Sequence, residues 1–116
     1  MKDITIWHNP RCSKSRQALA ILDENGCEKE IVKYLEQTPN KSEIKKVLGM
    51  LGISARELMR TKEDIYKELD LKNEHNEEKL IEAMANNPKL IERPVIIKGN
   101  KAIIARPPEK ALELLS

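Results

Sequence analysis

The 116 residues include 21 Lys+Arg against 19 Asp+Glu, a formal charge of +2, which fits one domain over residues 1–116 and excludes a dedicated nucleic-acid coat. A hydrophobic fraction of 40% with 34% charged residues is that of a folded domain with solvated helical faces, and excludes disorder. Two cysteines are too few for a disulfide scaffold and suit a reducing compartment, and with no Phe, one Trp and two Tyr the core must be aliphatic.

Ile4, Thr5, Ile6 and Trp7 form a short β-rich run stopped by Asn9-Pro10, which predicts a first strand. The same opening shows no charged segment, long apolar run and cleavage site, so no secretory signal is expected. Ser13 to Asn25 follows as a helix with Ala18, Leu19, Ile21 and Leu22 on one stripe, closed by Gly26. Glu30 to Leu35 predicts a second strand, completing a β-loop-α-β unit whose strands should pair in parallel with a right-handed crossover.

From about residue 40 to 88 strand signals give way to helix punctuation. Asn40 with Glu43 opens a helix whose buried face is Ile44, Val47, Leu48 and Leu51, ended by Gly52. Ser54 with Glu57 opens a shorter one ending near Arg60, and Leu80, Ile81 and Met84 mark another before Asn86-Asn87-Pro88. No Gly, Ser or Pro-rich linker flanks this block, so it is expected to be a helical insertion within the same domain. Pro94 to Lys98 and Ala102 to Ala105 then flank Gly99-Asn100 as a hairpin, and Pro107-Pro108 opens a last helix with Ala111, Leu112 and Leu115 on its apolar face. The order βαβ, helical block, ββα calls for an α/β fold with a mixed sheet and helices on both faces. The apolar runs fall far short of the ~18 residues a membrane span requires, so no membrane association and a cytoplasmic location are expected.

The chemistry concentrates in His8-Asn9-Pro10-Arg11-Cys12-Ser13-Lys14-Ser15-Arg16. A sulfur at a helix N-terminus faces unpaired backbone donors and the positive end of the helix dipole, and the flanking cations Arg11, Lys14 and Arg16, with His8 as a further source of positive charge, favour the thiolate, which is the nucleophilic form. The same turn is a cradle for an oxyanion. Arg93 and Arg106 stand beside prolines at strand ends, where stiff backbone can aim a guanidinium, and Arg60 ends a predicted helix. Base rates favour a trans Arg93–Pro94 bond. His75 lies in a Glu/Asn-rich stretch and reads as a solvated loop residue, two histidines and no second cysteine at ligand spacing argue against a metal site, and Cys27 reads as a bystander thiol.

The run Ile4 to Arg16, together with Gly52-Ile53-Ser54 to Leu58-Met59-Arg60, Leu90-Ile91-Glu92-Arg93-Pro94-Val95 and Arg106-Pro107, resembles the glutaredoxin-coupled arsenate reductase family, ArsC-like proteins related to the Spx-like regulators. The resemblance covers essentially the whole chain and rests on four separated motifs in order. It implies a thioredoxin-like fold with a four-stranded mixed sheet and a helical insertion, and a cis Pro94 facing the active-site loop. It implies Cys12 as the arsenate nucleophile, Arg60, Arg93 and Arg106 as oxyanion ligands, and His8 and Ser15 as residues that tune the thiolate. Glutathione and glutaredoxin are then the implied co-substrate and partner, with no bound metal or organic cofactor. Ser15 stands where a dithiol loop would carry a second cysteine, so the resolving thiol must come from solution. A redox-responsive regulator binding RNA polymerase, of the Spx-like kind, and a glutathione-dependent thiol reductase acting on another substrate are the alternatives.

Overall fold

The structure, a computed structural model, describes Asp3–Leu115. The described chain divides into two compact units, one built from the chain up to Gln37 and from Arg93 onward, the other from Thr38–Glu92.

In the first unit β1 (Ile4–Trp7) leads through a tight loop into α1 (Ser13–Glu24), and β2 (Lys29–Val32) returns parallel to β1 with Ile6 opposite Ile31. Gly26, at φ +67°, makes the left-handed exit from α1 that a side chain would resist. β2 stops at Val32 rather than continuing to Leu35, because the N–H groups of Glu36 and Gln37 both bond back to the Lys33 carbonyl, at 2.9 and 2.8 Å, and curl Tyr34 and Leu35 into a turn. β3 (Val95–Lys98) runs antiparallel to β1, and β4 (Lys101–Ile104) antiparallel to β3, giving the order β2-β1-β3-β4. β4 begins at Lys101, one residue before the expected Ala102, and Ala105 instead donates its N–H to the Pro94 carbonyl at 3.0 Å.

The strand period of two sets the core. Ile4 and Ile6 of β1 and Ile96 of β3 share a sheet face, and against it pack Ala18 and Leu22 of α1 and Ala111 of α6 (Ala111–Leu115). Leu112 was expected to join this face, but in so short a helix only one stripe meets the sheet, and Leu112, next to Ala111, rotates out to 46% exposure.

The second unit is helical. α2 (Lys41–Leu51) carries a full capping box, with the Glu43 N–H donating to Asn40 Oδ1 at 2.9 Å and the Asn40 N–H to Glu43 Oε1 at 3.1 Å, and buries Ile44, Val47 and Leu48. α3 (Ala55–Leu58) repeats the device with Ser54 and Glu57, and α5 (Glu77–Asn86) buries Leu80, Ile81 and Met84. Between α3 and α5 lies α4 (Asp64–Glu68), absent from the sequence expectation because a single turn burying only Tyr66 has no apolar period to read. Arg56 ties this stretch together, its guanidinium donating to the Tyr66 hydroxyl and to the Leu71 and Glu74 carbonyls. Among the described residues no helix is long and apolar enough to cross a membrane.

The packing predicts a sharp contrast between two apolar truncations. Ile96→Ala, at a fully buried position, should lower the urea unfolding free energy by about 2 to 5 kcal/mol. Leu112→Ala should change it by less than about 0.5 kcal/mol.

Candidate active site

His8 to Cys12 connect the end of β1 to the start of α1. The chain turns sharply because Asn9 acts twice: its side-chain Oδ1 accepts the Arg11 N–H and its carbonyl accepts the Cys12 N–H, both at 3.0 Å. Cys12 therefore becomes the N-cap of α1 in extended conformation, and its carbonyl accepts the Arg16 N–H at 3.0 Å, the first bond of the helix. Arg16 also braces the turn, with Nη1 donating to the Pro10 carbonyl at 2.9 Å.

The half-buried thiol feels opposing forces. Burial is the largest single influence and pushes its pKa up. Against it stand the Ser15 backbone N–H, a hydrogen bond from the Arg93 side chain, the Arg93 charge and the Lys14 backbone N–H, and together these hold the thiol below its ordinary value of 9.0. The guanidinium at the sulfur comes from the far end of the chain. Lys14, expected to help through its ammonium, helps through its backbone N–H, which points at the sulfur as a free helix-terminal donor should.

Beneath the thiol, Ser15 is fully buried on α1 and its Oγ lies 2.7 Å from His8 Nδ1, itself only 5% exposed. The same Oγ accepts the Asn9 N–H at 3.1 Å, so one hydroxyl joins His8 to the backbone of Asn9. His8 is also held below its ordinary value, first by burial and then by the Lys33 and Arg16 charges. Ser15 thus acts twice on the loop, its hydroxyl locking His8 and Asn9 while its backbone N–H stabilises the sulfur.

Arg93 and Arg106 flank β3 and β4 at one end of the sheet. The Arg93–Pro94 bond is cis, as the family resemblance implies and against the trans form that base rates favour, and Arg106–Pro107 is cis as well, which nothing in the sequence signalled. Arg106 Nη1 donates to the Arg93 carbonyl at 3.2 Å, joining the two arginine-bearing segments. Arg60 lies in the second unit, just after α3. Its N–H donates to the Leu90 carbonyl at 2.7 Å, and its guanidinium pairs with Glu63 at 3.4 Å and Glu92 at 3.8 Å.

Of the residues singled out in the sequence, His8, Cys12, Ser15 and Arg93 are therefore linked around one sulfur, with Arg106 on the backbone of Arg93. Cys27 sits beyond the other end of α1 and His75 in an exposed loop. Asn9 and Lys33 were missed. Asn9 carried a readable signal, the Asn-Pro pair with a donor two residues on, whereas Lys33 approaches His8 only through the β1/β2 pairing.

Comparison with known proteins places this geometry in context. The family model described as the ArsC family matches residues 7–114. The uncharacterized protein YfgD of Escherichia coli K12 is 53% identical over 116 residues, covering 98% of each chain. An arsenate reductase of Neisseria meningitidis serogroup A is 49% identical over 111 residues, covering 94% of this chain and 95% of the relative. The solved structure of an arsenate reductase from Vibrio cholerae superposes with a TM-score of 0.92 at 45% identity, covering 95% of both chains. The fold is thioredoxin-like.

Two pH dependences follow from the site. In a Cys27→Ser background, alkylation of Cys12 by iodoacetamide should rise with pH about a midpoint below 9.0, and Arg93→Ala should move that midpoint upward, because the thiolate loses a donor and a positive charge. For His8 the unfolded chain takes up the proton first as the pH falls from 6.5 toward the lower folded value. Stability is therefore lost across that window. Urea denaturation at a series of pH values should show the decline, and His8→Gln should flatten it.

Proposed function

The chain belongs to the ArsC family, and we propose that it reduces arsenate to arsenite with thiols supplied from solution, Cys12 being the nucleophile. The observation that carries this reading is the Cys12 sulfur held at the N-terminus of α1 under the Arg93 side chain, which pairs a favoured thiolate with a cation suited to an oxyanion.

Under this proposal arsenate, a tetrahedral oxyanion, approaches the turn where backbone N–H groups of α1 and the Arg93 guanidinium converge. The Cys12 thiolate attacks arsenic and an oxygen leaves as water, giving a thio-arsenate ester still at As(V). Arg93 neutralises the charge that would repel an anionic nucleophile from an anionic substrate and stabilises it in the transition state. Arg106, braced against the Arg93 carbonyl, and Arg60 are proposed as further oxyanion ligands, the latter on the family resemblance alone. Glutathione then replaces a second oxygen, again releasing water and forming an As–S bond. A glutaredoxin thiolate attacks the glutathione sulfur, the As–S pair of electrons stays on arsenic, and As(V) becomes As(III) while two thiols become one mixed disulfide. Hydrolysis of the remaining Cys12–As bond frees arsenite and restores the thiol. A loop with Ser15 in place of a second cysteine suits this use of external thiols, as no resolving sulfur competes within the turn.

Arsenite formation by the purified chain with arsenate, glutathione and glutaredoxin tests the reading. Cys12→Ser should abolish turnover and Cys27→Ser should leave it intact. Arg60→Ala, Arg93→Ala and Arg106→Ala should each lower kcat/KM by about 1.5 to 3 kcal/mol, roughly ten- to a hundredfold. Wild-type inactivity, or full activity of Cys12→Ser, would overturn the proposal.

A further inference from the structure

The turn that presents Cys12 has a second side. A hollow of about 290 Å³ is lined by His8, Pro10, Arg11, Lys33, Leu35 and Glu36, all in the first unit. Pro10 and Arg11 immediately precede Cys12 within the turn that the Asn9 carbonyl closes on the Cys12 N–H. Its opposite wall is the turn after β2, which the paired N–H groups of Glu36 and Gln37 hold against the Lys33 carbonyl. The hollow therefore owes its shape to backbone bonds on both walls, and its volume is near the lower end of small-ligand sites, about 300 Å³.

The charges lining it are specific in number and sign. Arg11 and Lys33 supply two cations, Glu36 one carboxylate, and Pro10 and Leu35 apolar surface, Leu35 being 37% exposed. A thiol that must reach arsenic on Cys12 has to arrive beside this turn. Glutathione carries the complementary set: two carboxylates, one ammonium and a methylene stem, with the thiol at its centre.

We infer that the hollow beside the Cys12 turn is the docking site for glutathione, Arg11 and Lys33 receiving its carboxylates and Glu36 its ammonium, so that the thiol lies toward Cys12. The inference rests on the thiol-coupled reading above and adds to it the surface that selects the thiol. Two opposed charge types at one site distinguish a zwitterionic peptide from a simple anion, which the two cations alone would accept as readily. Glu36, which has no bond to the Cys12 turn, then acts in thiol selection alone, whereas Lys33 also sets the charge beside His8.

Binding is read first without turnover, by titrating the full chain with S-methylglutathione, which cannot react, and following backbone amide NMR shifts. Saturable shifts clustered at residues 8–11 and 33–36 are expected. Lys33→Ala and Glu36→Gln, both at exposed positions, should each raise the dissociation constant about three- to fivefold. The loss in Glu36→Gln should vanish for the analogue lacking the γ-glutamyl amino group. In the arsenate assay Glu36→Gln should raise the KM for glutathione by a similar factor while leaving the KM for arsenate unchanged, and 2-mercaptoethanol, which has no charged group, should be used equally well by both proteins. Shifts confined to other surfaces, or unaltered affinity in both variants, overturn the inference. If the wild type binds in the hollow as described but forms no arsenite, the arsenate reading fails and the binding site stands.

Discussion

The antiparallel register of β3 on β1 is the constraint from which the site follows. Trp7 lies opposite Val95, so the residues that leave β1 and those that enter β3 emerge at the same end of the sheet. His8 to Cys12 and Arg93-Pro94 become neighbours for that reason alone, although some eighty positions separate them in the chain. β4 extends the logic: Ile104 is also opposite Val95, which returns the chain to that end just before Arg106. A slip of one residue between β3 and β1 would put Ile96 on the face opposite Ile6, away from Ala18, Leu22 and Ala111, so the burial that stabilises the first unit also enforces the placement of Arg93 and Arg106.

At the sulfur the decisive balance is between desolvation and directed donors. Burial by itself would leave Cys12 a protonated, inert thiol of the usual structural kind. The backbone N–H groups of Ser15 and Lys14 are unpaired only because α1 begins there, and they begin to count because Cys12 caps it in extended geometry. The Arg93 side chain completes the reversal. Neutral His8 adds no charge of its own. His8, Ser15 and Asn9 form a hydrogen-bonded network within the turn.

Much of the secondary structure was legible because its determinants are local. Both capping boxes were visible as Asn40 with Glu43 and Ser54 with Glu57, and Gly26, Gly52 and Gly99 mark the left-handed positions where helices and the hairpin turn. The misreadings share one cause, that local pattern does not report what an element packs against. Tyr34 and Leu35 look like strand residues but fold back on Lys33, Leu112 looks like core but sits on the wrong side of a short helix, and α4 has too few residues to show a period.

The candidate site divides in the same way. Sequence determined the setting of Cys12, since a cysteine after Asn-Pro and before a helix stripe must sit at a helix N-terminus, where backbone donors are unpaired whatever the rest of the fold does. It also determined that no second thiol would stand in the loop. Tertiary structure decided which cation acts on the sulfur: neighbours in sequence, Arg11, Lys14 and Arg16, are outdone by Arg93, which strand pairing delivers. It decided as well the cis geometry at Pro107 and the approach of Lys33 to His8. Electrostatic influence depends on distance through space and on burial, and neither is written in the spacing of residues along a chain.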